Sequence, residues 1–281
     1  MPVPIFVVDA FTDRPFRGNP AGVCLLDGPA PRAWMRSVAA EMKHAETAFL
    51  YREGPRYRLR WFSPTVEVEL CGHATLAAAH VLFERGFLAP DETARFVTQS
   101  GELRVVRTSH GLELNFPTDP VRRVRAPAAL VEGIPLPFTF VGRARFDFVV
   151  EVASPRQLRT LSPVFDALAR VPGRGVVVTA RSDRPKFHYL CRFFAPNYGV
   201  PEDPVTGSIQ CSLGPYWSAR LGRAELTGFQ ASPRGGVFHV RPEGRRVAIA
   251  GQAVTVLSGV LEGPGPPRAD ASTKRSLLGR A

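Results

Sequence analysis

The chain repeats its own pattern about 130 residues later. The segment RWFSP at residues 60–64 returns as RFFAP at residues 192–196, an offset of 132. Each copy is followed by an acidic stretch and by a glycine that opens an apolar segment. Downstream, QSG at 99–101 is matched by QAS at 230–232, an offset of 131. Because blocks that recur in the same order indicate a duplicated structural unit, the sequence predicts two halves with similar folds.

Each half has the same predicted order of elements, of an α+β class. A strand-rich lead precedes one long apolar helix, which we predict at 74–85 in the first half and at 208–220 in the second. Apolar residues cover most of the circumference of both helices, so each must be buried on nearly all sides, and a surrounding sheet satisfies that requirement. Smaller helices are predicted at 33–41 and at 155–169, where Ser154 is the N-cap.

The connectors indicate where the halves end. The segment DPVRRVRAPAALVEG places prolines among charges, so we assign the first half to residues 1–120 and the second to residues 121–262. The last segment, 263–281, is polar and rich in Pro, Gly and Ser. We predict a mobile tail there.

Composition excludes several classes of protein. With 281 residues and 44% hydrophobic content, the chain can bury a core, so global disorder and a coiled coil are excluded. No run approaches the ~18 apolar residues that a membrane helix needs, and the start MPVPIFVVDAF does not resemble a secretory signal. The four cysteines form no CxxC pair, which argues against a disulfide scaffold or a zinc ribbon. We expect a soluble, cytoplasmic protein without a membrane partner.

The net charge of +11 suggests an anionic partner, but its distribution does not favour nucleic acid. Only three of the 36 basic residues are lysine, and the arginines are spread along the chain instead of forming a patch. No helix-turn-helix, RRM or KH pattern is present. We therefore expect no nucleic-acid partner, and interpret the arginines as solvated surface that attracts, at most, a small acidic substrate.

The starts of the two long helices are candidate anion sites. Gly72-His73-Ala74-Thr75 and Thr206-Gly207-Ser208 place small residues where backbone N–H groups are unpaired and carry the positive end of the helix dipole. If both ends face one cleft between the halves, together they would bind a carboxylate and stabilise an enolate-like transition state. The alternative is that both are ordinary helix caps.

Three residues near these helix starts are candidate proton carriers. Glu46, in HAETAF, lies among apolar neighbours that would raise its pKa toward neutrality, as a general base requires. Asp203 precedes a proline and His73 follows a helix-start glycine. A solvated strand-edge glutamate, a capping aspartate and a satisfied core histidine are the alternatives.

Several longer segments together resemble a known family. DAFTDRPFRGNPAGVCLL, AEMKHAETAFL, LRWFSPTVEVELCGHATLAAAHVL, EDPVTGS and QASPRGG, in this order, resemble the phenazine-biosynthesis isomerase-like family. That family belongs to the diaminopimelate epimerase-like fold. The resemblance implies two pseudo-symmetric halves, each a barrel-like sheet wrapped around a central helix, with the active site in the cleft between them.

The resemblance also implies a reaction. The best understood member isomerises trans-2,3-dihydro-3-hydroxyanthranilate without metal or organic cofactor, and a glutamate moves the proton. The family motifs place the catalytic roles on Glu46, His73, Asp203 and Ser208. The GNP loop implies substrate contacts at Gly18 and Asn19, and the helix starts imply contacts at Gly72, Ala74, Thr75, Thr206 and Gly207. A small acidic substrate and a homodimer are expected.

Two features leave alternatives open. Many relatives have DPVTGSAH where this chain has Ile209-Gln210, a departure that bears on substrate identity and leaves a non-catalytic binder of a small acidic metabolite as one alternative. The epimerase branch of the fold uses one cysteine from each half, which suggests an amino-acid epimerase or racemase as another. Cys71 stands at the first thiol position, but Pro204 occupies the second and Cys211 lies too deep in its helix. We therefore interpret Cys71 as a small buried residue.

Overall fold

A computed structural model describes residues 2–262 of the chain, so the predicted tail at 263–281 lies outside the described residues. The first half contains β1 (Val3–Ala10), β2 (Asn19–Leu25), α1 (Arg32–Met42), β3 (Thr47–Glu53), β4 (Arg56–Phe62), β5 (Glu67–Val68), α2 (Gly72–Glu84), β6 (Ala94–Thr98), β7 (Gly101–Thr108) and β8 (Gly111–Pro117). The short strand β9 (Arg122–Arg123) follows it. The remaining elements are α3 (Ala128–Gly133), β10 (Phe138–Arg143), β11 (Asp147–Val152), α4 (Pro155–Thr160), α5 (Phe165–Leu168), β12 (Gly175–Arg181), β13 (Tyr189–Ala195), a 3-10 turn at Pro196–Tyr198, β14 (Val200–Asp203), α6 (Gln210–Leu221), β15 (Leu226–Gln230), β16 (Gly236–Glu243), β17 (Arg246–Gly251) and β18 (Ala253–Leu261).

The two halves share one strand connectivity. In the first half, β3 is parallel to β2 and antiparallel to β4, and β4 is also parallel to β6. In the second half, β12 is parallel to β11 and antiparallel to β13, and β13 is also parallel to β15. The structure therefore confirms the duplication predicted from the repeated RWFSP and RFFAP segments.

The repeated arginine of these segments does the same work in both halves. Arg60 forms a two-point ion pair with Glu67, with the closer N–O distance at 2.7 Å, and Arg192 forms the corresponding pair with Glu202, also at 2.7 Å. Each guanidinium also lies about 5 Å from the ring two residues further on. The repeated sequence segments therefore make equivalent side-chain contacts, which hold β5 and β14 to their neighbouring strands.

Strands at the ends of the halves cross between them. β17 pairs with β8, and β9 pairs with β10. The last strand, β18, pairs along its length with β1, so it returns to the first half although the sequence-based boundary assigned it to the second. One continuous hydrophobic core includes buried residues from around both central helices.

The first central helix is enclosed as predicted. α2 begins at Gly72, two residues before the predicted start, and its side chains from His73 to Ala79 are all buried. The helix carries no acidic or basic residue other than histidine before Glu84, so the surrounding sheet covers most of its circumference without burying a charge.

The second central helix begins later than predicted, at Gln210. The N–H of Gln210 bonds the carbonyl of Gly207 at 3.0 Å, and the N–H of Cys211 bonds that of Ser208 at 3.1 Å, so the approach is a tighter i→i+3 turn. Pro215, inside α6, cannot donate to the carbonyl of Cys211, which instead accepts the N–H of Asp119 at 3.0 Å. The helix thereby keeps its proline without an orphaned carbonyl.

The predicted helix at 155–169 is wrong as a single element. The structure has two short helices there, α4 and α5, separated by an extended turn in which Leu161 has ψ of 123°. Pro163 accounts for the break, because it lacks an N–H and disfavours helical backbone in the residue before it. The predicted cap is confirmed: Ser154 Oγ accepts the N–H of Gln157 at 3.2 Å. The helix predicted at 33–41 is confirmed as α1.

Among residues 2–262, none of the helices has both the length and the apolar character required to cross a membrane.

Candidate active site

The starts of α2 and α6 carry unpaired N–H groups. In α2 the first N–H bonded to a backbone carbonyl is that of Thr75, which reaches Cys71 at 3.2 Å. Before α6 it is that of Gln210, so the N–H groups of Gly207 and Ser208 have no partner among the residues that the structure describes. Both starts therefore keep the donors and the positive dipole end that an anion requires.

Glu46 reaches the start of α2 from the end of the loop before β3. Its backbone carbonyl accepts the N–H of Gly22 at 3.3 Å, which fixes the loop, and its Oε2 lies 3.4 Å from Nε2 of His73. The side chain is 21% exposed. Burial, together with the negative charge of Asp203, raises the pKa of Glu46 to about 7. A carboxylate with this pKa is divided between its two protonation states near neutral pH, as a general base requires.

His73 is buried within the first turn of α2. Burial lowers its pKa to about 4, so the imidazole is neutral at the pH at which Glu46 ionises. Its Nε2 has no hydrogen-bond partner among residues 2–262 despite the proximity of Glu46. Because the imidazole is neutral at that pH, its contact with Glu46 is not an ion pair.

Cys71 lies in the same cluster, a relationship that the sequence-based interpretation missed. It is buried, as expected, but its Sγ lies 3.5 Å from Nδ1 of His73 and within 4.8 Å of a carboxylate oxygen of Glu46. Burial and the charge of Glu46 hold the pKa of Cys71 well above its ordinary value, so the thiol is neutral. The sequence held one signal for this role of Cys71. It stands immediately before GHAT, at a position where the epimerase branch of the fold uses a cysteine.

Asp203 ends β14 and belongs to a network that joins the halves. Its Oδ1 accepts Nδ2 of Asn19 at 3.0 Å, and its Oδ2 accepts the hydroxyl of Thr206. Burial raises the pKa of Asp203 to about 6, against the opposing effects of Thr206, Asn19 and the charge of Arg174. Because its charge acts on both Glu46 and Cys71, Asp203 belongs to the same site.

Ser208 lies in the turn before α6 and is half-buried. Its Oγ accepts a hydrogen bond from Nη1 of Arg174 at 2.8 Å. Arg174 in turn forms a two-point ion pair with Asp147. Nothing in the sequence analysis singled out Arg174, one of 33 arginines.

The structure thus brings together the four residues assigned catalytic roles. Glu46 contacts His73, and the charge of Asp203 acts on Glu46. The charge of Arg174 lowers the pKa of Asp203, and Arg174 also donates a hydrogen bond to Ser208. Residues from both halves, far apart in the sequence, therefore form one site.

The GNP loop supplies one residue that joins the network around Asp203 and one residue that shapes the loop. Asn19 donates to Asp203 and to the carbonyl of Val205 at 2.8 Å, while its buried Oδ1 has no partner in the described part of the chain. Gly18 instead donates to the carbonyl of Gly235 at 2.9 Å. Its φ of +64° and the 2.2 Å that would separate an added Cβ from the carbonyl oxygen of Ala10 require glycine. Gly18 therefore shapes the loop, and its contact with substrate stays a prediction.

Two threonines expected to contact substrate use their hydroxyls within the protein. Thr75 Oγ1 donates to the carbonyl of Cys71 at 2.5 Å and is fully buried. Thr206 donates its hydroxyl to Asp203 and its N–H to Gln230 at 2.9 Å. Both hydroxyls therefore support the helix starts, and a contact of either residue with substrate stays a prediction.

Three further helix-start positions were expected to bind substrate. Ala74 is fully buried, and its side chain packs in the hydrophobic core. Gly72 is partly exposed and its N–H is free. Gly207 is buried beneath the ring of Phe11, and a Cβ added at Gly207 would lie 3.2 Å from that ring. A side chain at Gly207 would therefore press on Phe11.

Gln210 does not line the site. Its side chain is fully buried and accepts the hydroxyl of Tyr189, on the inner side of the second half. The glutamine that departs from the DPVTGSAH pattern is therefore hydrogen-bonded within the core of this chain.

Glu46, Cys71 and His73 also form the donor set best placed to hold a metal. A carboxylate oxygen, the sulfur and a ring nitrogen lie within 4.8 Å of one another. Spacing along the sequence does not indicate this cluster, because Glu46 comes close to Cys71 only through the fold. The thiol opposes ligation, since a ligating cysteine must lose its proton and burial raises the pKa of Cys71.

Two cavities lie elsewhere, one of about 240 Å³ beside His188 and one of about 180 Å³ beside Arg60. None of the residues at the helix starts lines either cavity. We place the site at the helix starts because the contacting titratable groups, the buried unpaired polar atoms and the free N–H donors coincide there.

Comparisons with known proteins identify the family and the fold of the chain. The sequence profile of a family described as phenazine biosynthesis-like protein matches residues 8–259. An uncharacterized isomerase of Pseudomonas aeruginosa is 50% identical over 252 residues, which cover 90% of this chain and 95% of that protein. A PhzF-family phenazine biosynthesis protein of Enterococcus faecalis, of known crystal structure, is 36% identical with a TM-score of 0.89, covering 93% of this chain and 100% of that one. A hydroxyproline epimerase of Agrobacterium vitis, 13% identical, has a TM-score of 0.60 over 92% of both chains, a likeness of fold alone.

Proposed function

Because this chain belongs to the phenazine biosynthesis-like family and has the diaminopimelate epimerase-like fold, we propose that it is an isomerase of a small unsaturated amino- or hydroxy-acid. The reaction moves a proton from one carbon of the substrate to another. The observation that carries this proposal is the half-buried carboxylate of Glu46, held between Cys71 and His73 at the start of α2.

Glu46 is the general base of the proposed reaction. It takes a proton from a C–H bond next to a conjugated system, and the electron pair of that bond forms a new C=C bond as the existing unsaturation shifts. The protonated Glu46 then returns the proton to a second carbon, which completes the isomerisation. Its pKa of about 7 suits both steps, because each requires a different protonation state of the same group.

The negative charge that develops on the substrate needs a stabiliser. The free N–H groups at the starts of α2 and α6 supply donors for a carboxylate and for an enolate oxygen. Neutral His73 and the unpaired Oδ1 of Asn19 offer further contacts that would orient the reacting carbons. The protein's own side chains and backbone can supply all of these functions, so we propose that no metal or organic cofactor takes part.

The test is turnover of trans-2,3-dihydro-3-hydroxyanthranilate in deuterated water, followed by NMR. Deuterium should appear, at least in part, at the carbon that gains a proton, because protonated Glu46 exchanges with solvent before it returns the proton. Binding of this acid without isomerisation or exchange would instead indicate a non-catalytic binder of small acidic metabolites. Inversion at the α-carbon of an amino acid would indicate an epimerase.

A further inference from the structure

We propose that Arg174 is a positioning residue that sets Ser208 as a hydrogen-bond donor to an anionic oxygen of the substrate. The inference rests on the proposed function and adds to it the kind of group that the start of α6 receives. It also gives a role to an arginine that no family motif marked.

The guanidinium of Arg174 is held rigidly. Its Nε donates to Oδ1 of Asp147 at 3.0 Å and its Nη2 donates to Oδ2, while the Asp147 side chain is only 2% exposed. The guanidinium carbon also lies 5.3 Å from the centre of the Phe193 ring. Two-point pairing with a buried carboxylate fixes the plane of the guanidinium, so the direction in which Nη1 donates is fixed as well.

This fixed donor determines the role of the Ser208 hydroxyl. Nη1 of Arg174 reaches Ser208 Oγ at 2.8 Å, and an arginine can only donate, so Oγ is the acceptor of that bond. The hydroxyl proton has no acceptor among residues 2–262. Ser208 therefore has a proton to offer to a ligand at the helix start, and the group that accepts it is a carboxylate or enolate oxygen, not an ammonium group.

The place of Arg174 in the fold supports the same conclusion. Arg174 directly precedes β12, as Glu46 directly precedes β3, the equivalent strand of the first half. When the strand pair β12–β13 is aligned with the pair β3–β4, Arg174 lies one residue before the position that corresponds to Glu46. The first half thus brings a base to the start of its helix, and the second half brings a cation to the start of its own.

A purely structural ion pair is the alternative role for Arg174, and the chain offers a matched control for it. Arg60 and Glu67 form a two-point pair with side chains 29% and 6% exposed, against 30% and 2% for Arg174 and Asp147. Arg60 touches no residue of the site. The variant R60M therefore removes an equivalent ion pair without changing Ser208.

The experiment measures binding of 3-hydroxyanthranilate, an unreactive aromatic carboxylate, by calorimetry. R174M and S208A should each weaken binding by roughly 10-fold, the size expected for one hydrogen bond to a charged group. The double variant R174M/S208A should be no weaker than the weaker single variant, because both changes remove one function. R174K, which can still donate to Ser208, should bind between R174M and the wild type, and R60M should bind like the wild type.

Three results would overturn the inference alone: additive losses in the double variant, unchanged binding in S208A, or equal losses in R60M and R174M. S208A leaves the Arg174–Asp147 pair intact, so it decides the question even if R174M does not fold. Failure of the wild-type protein to bind 3-hydroxyanthranilate would instead count against the proposed function, and the inference would fall with it.

Discussion

Glu46 and His73 lie 3.4 Å apart, Oε2 to Nε2, yet they do not form an ion pair. Burial lowers the pKa of His73 to about 4 and raises that of Glu46 to about 7, so the imidazole has lost its proton before the carboxylate loses its own. An imidazolium at this place would hold the pKa of Glu46 low and make it a poor base. The neutral histidine therefore preserves the basicity on which the proposed reaction depends.

The first prediction is a pH dependence of catalysis. Glu46 must be ionised to accept a proton, so kcat/KM should rise with pH and level off with an apparent pKa near 7. Because the pKa of Asp203 is about 6, the two carboxylates titrate as a coupled pair. The apparent pKa of the rate profile therefore describes the pair and not one residue. A rate profile flat from pH 5 to 9 would contradict the assignment of either carboxylate as the base.

The second prediction concerns stability. The pKa of Glu46 is higher in the folded protein, about 7, than its ordinary value of 4.5, so the folded state binds the proton more tightly. The contribution of Glu46 to the free energy of unfolding should therefore fall as pH rises from about 4.5 through 7. Glu46→Gln removes this loss and should be more stable than the wild type at pH 8, by roughly 1–3 kcal/mol.

The advantage of Glu46→Gln should disappear near pH 4.5, where the wild-type carboxyl is also protonated. Denaturant unfolding at pH 8 and pH 4.5 checks this. A Glu67→Gln variant is the control with the opposite sign, because its partners Arg60 and Arg32 lower the pKa of Glu67. Equal stability of Glu46→Gln and the wild type at pH 8 would show that the burial of Glu46 costs nothing.

The third prediction concerns Cys71. Its thiol lies beside Glu46 and stays neutral, so it supports the base and does not replace it. Cys71→Ser keeps a donor and should retain kcat within about 10-fold, whereas loss of a thiol that itself carries the proton would cost roughly 10²–10⁴. Cys24→Ser, at a buried cysteine outside the site, controls for the effect of placing a hydroxyl in the core.

The fourth prediction concerns metals. The donor atoms of Glu46, Cys71 and His73 lie close enough to hold an ion, but the reaction proposed for them needs Glu46 free. Protein treated with a chelator and freed of it should therefore keep its full kcat. Loss of activity that a stoichiometric divalent ion restores would contradict the metal-free mechanism.

The sequence predicted the fold well where the chain repeats itself. The Arg60 and Arg192 segments recur because each fastens the same strands, and the two apolar helices admit few arrangements other than burial within a sheet. Family membership, predicted from motifs that run from the GNP loop to QASPRGG, is confirmed. The single helix predicted at 155–169 is wrong because Pro163 breaks it into α4 and α5.

Less of the site could be predicted. Glu46 and Asp203 follow from motifs, but their contacts cross between the halves and no spacing encodes them. Arg174 looks like any other arginine in PGRGVVV until the fold shows it beside Ser208. Gln210 appeared to alter the site, whereas its side chain turns inward to Tyr189. Side-chain direction in a turn depends on tertiary packing, which a single sequence does not show.

The most direct test of the account compares two variants that each replace one carboxylate with its amide. Glu46→Gln keeps the shape of the side chain but cannot accept a proton, so kcat for trans-2,3-dihydro-3-hydroxyanthranilate should fall by roughly 10²–10⁴ while binding of 3-hydroxyanthranilate weakens little. Asp203→Asn should cost less, because Asp203 acts through Asn19, Thr206 and the pKa of Glu46. If Asp203→Asn is inert while Glu46→Gln keeps full activity, Glu46 is not the base and the central claim is wrong.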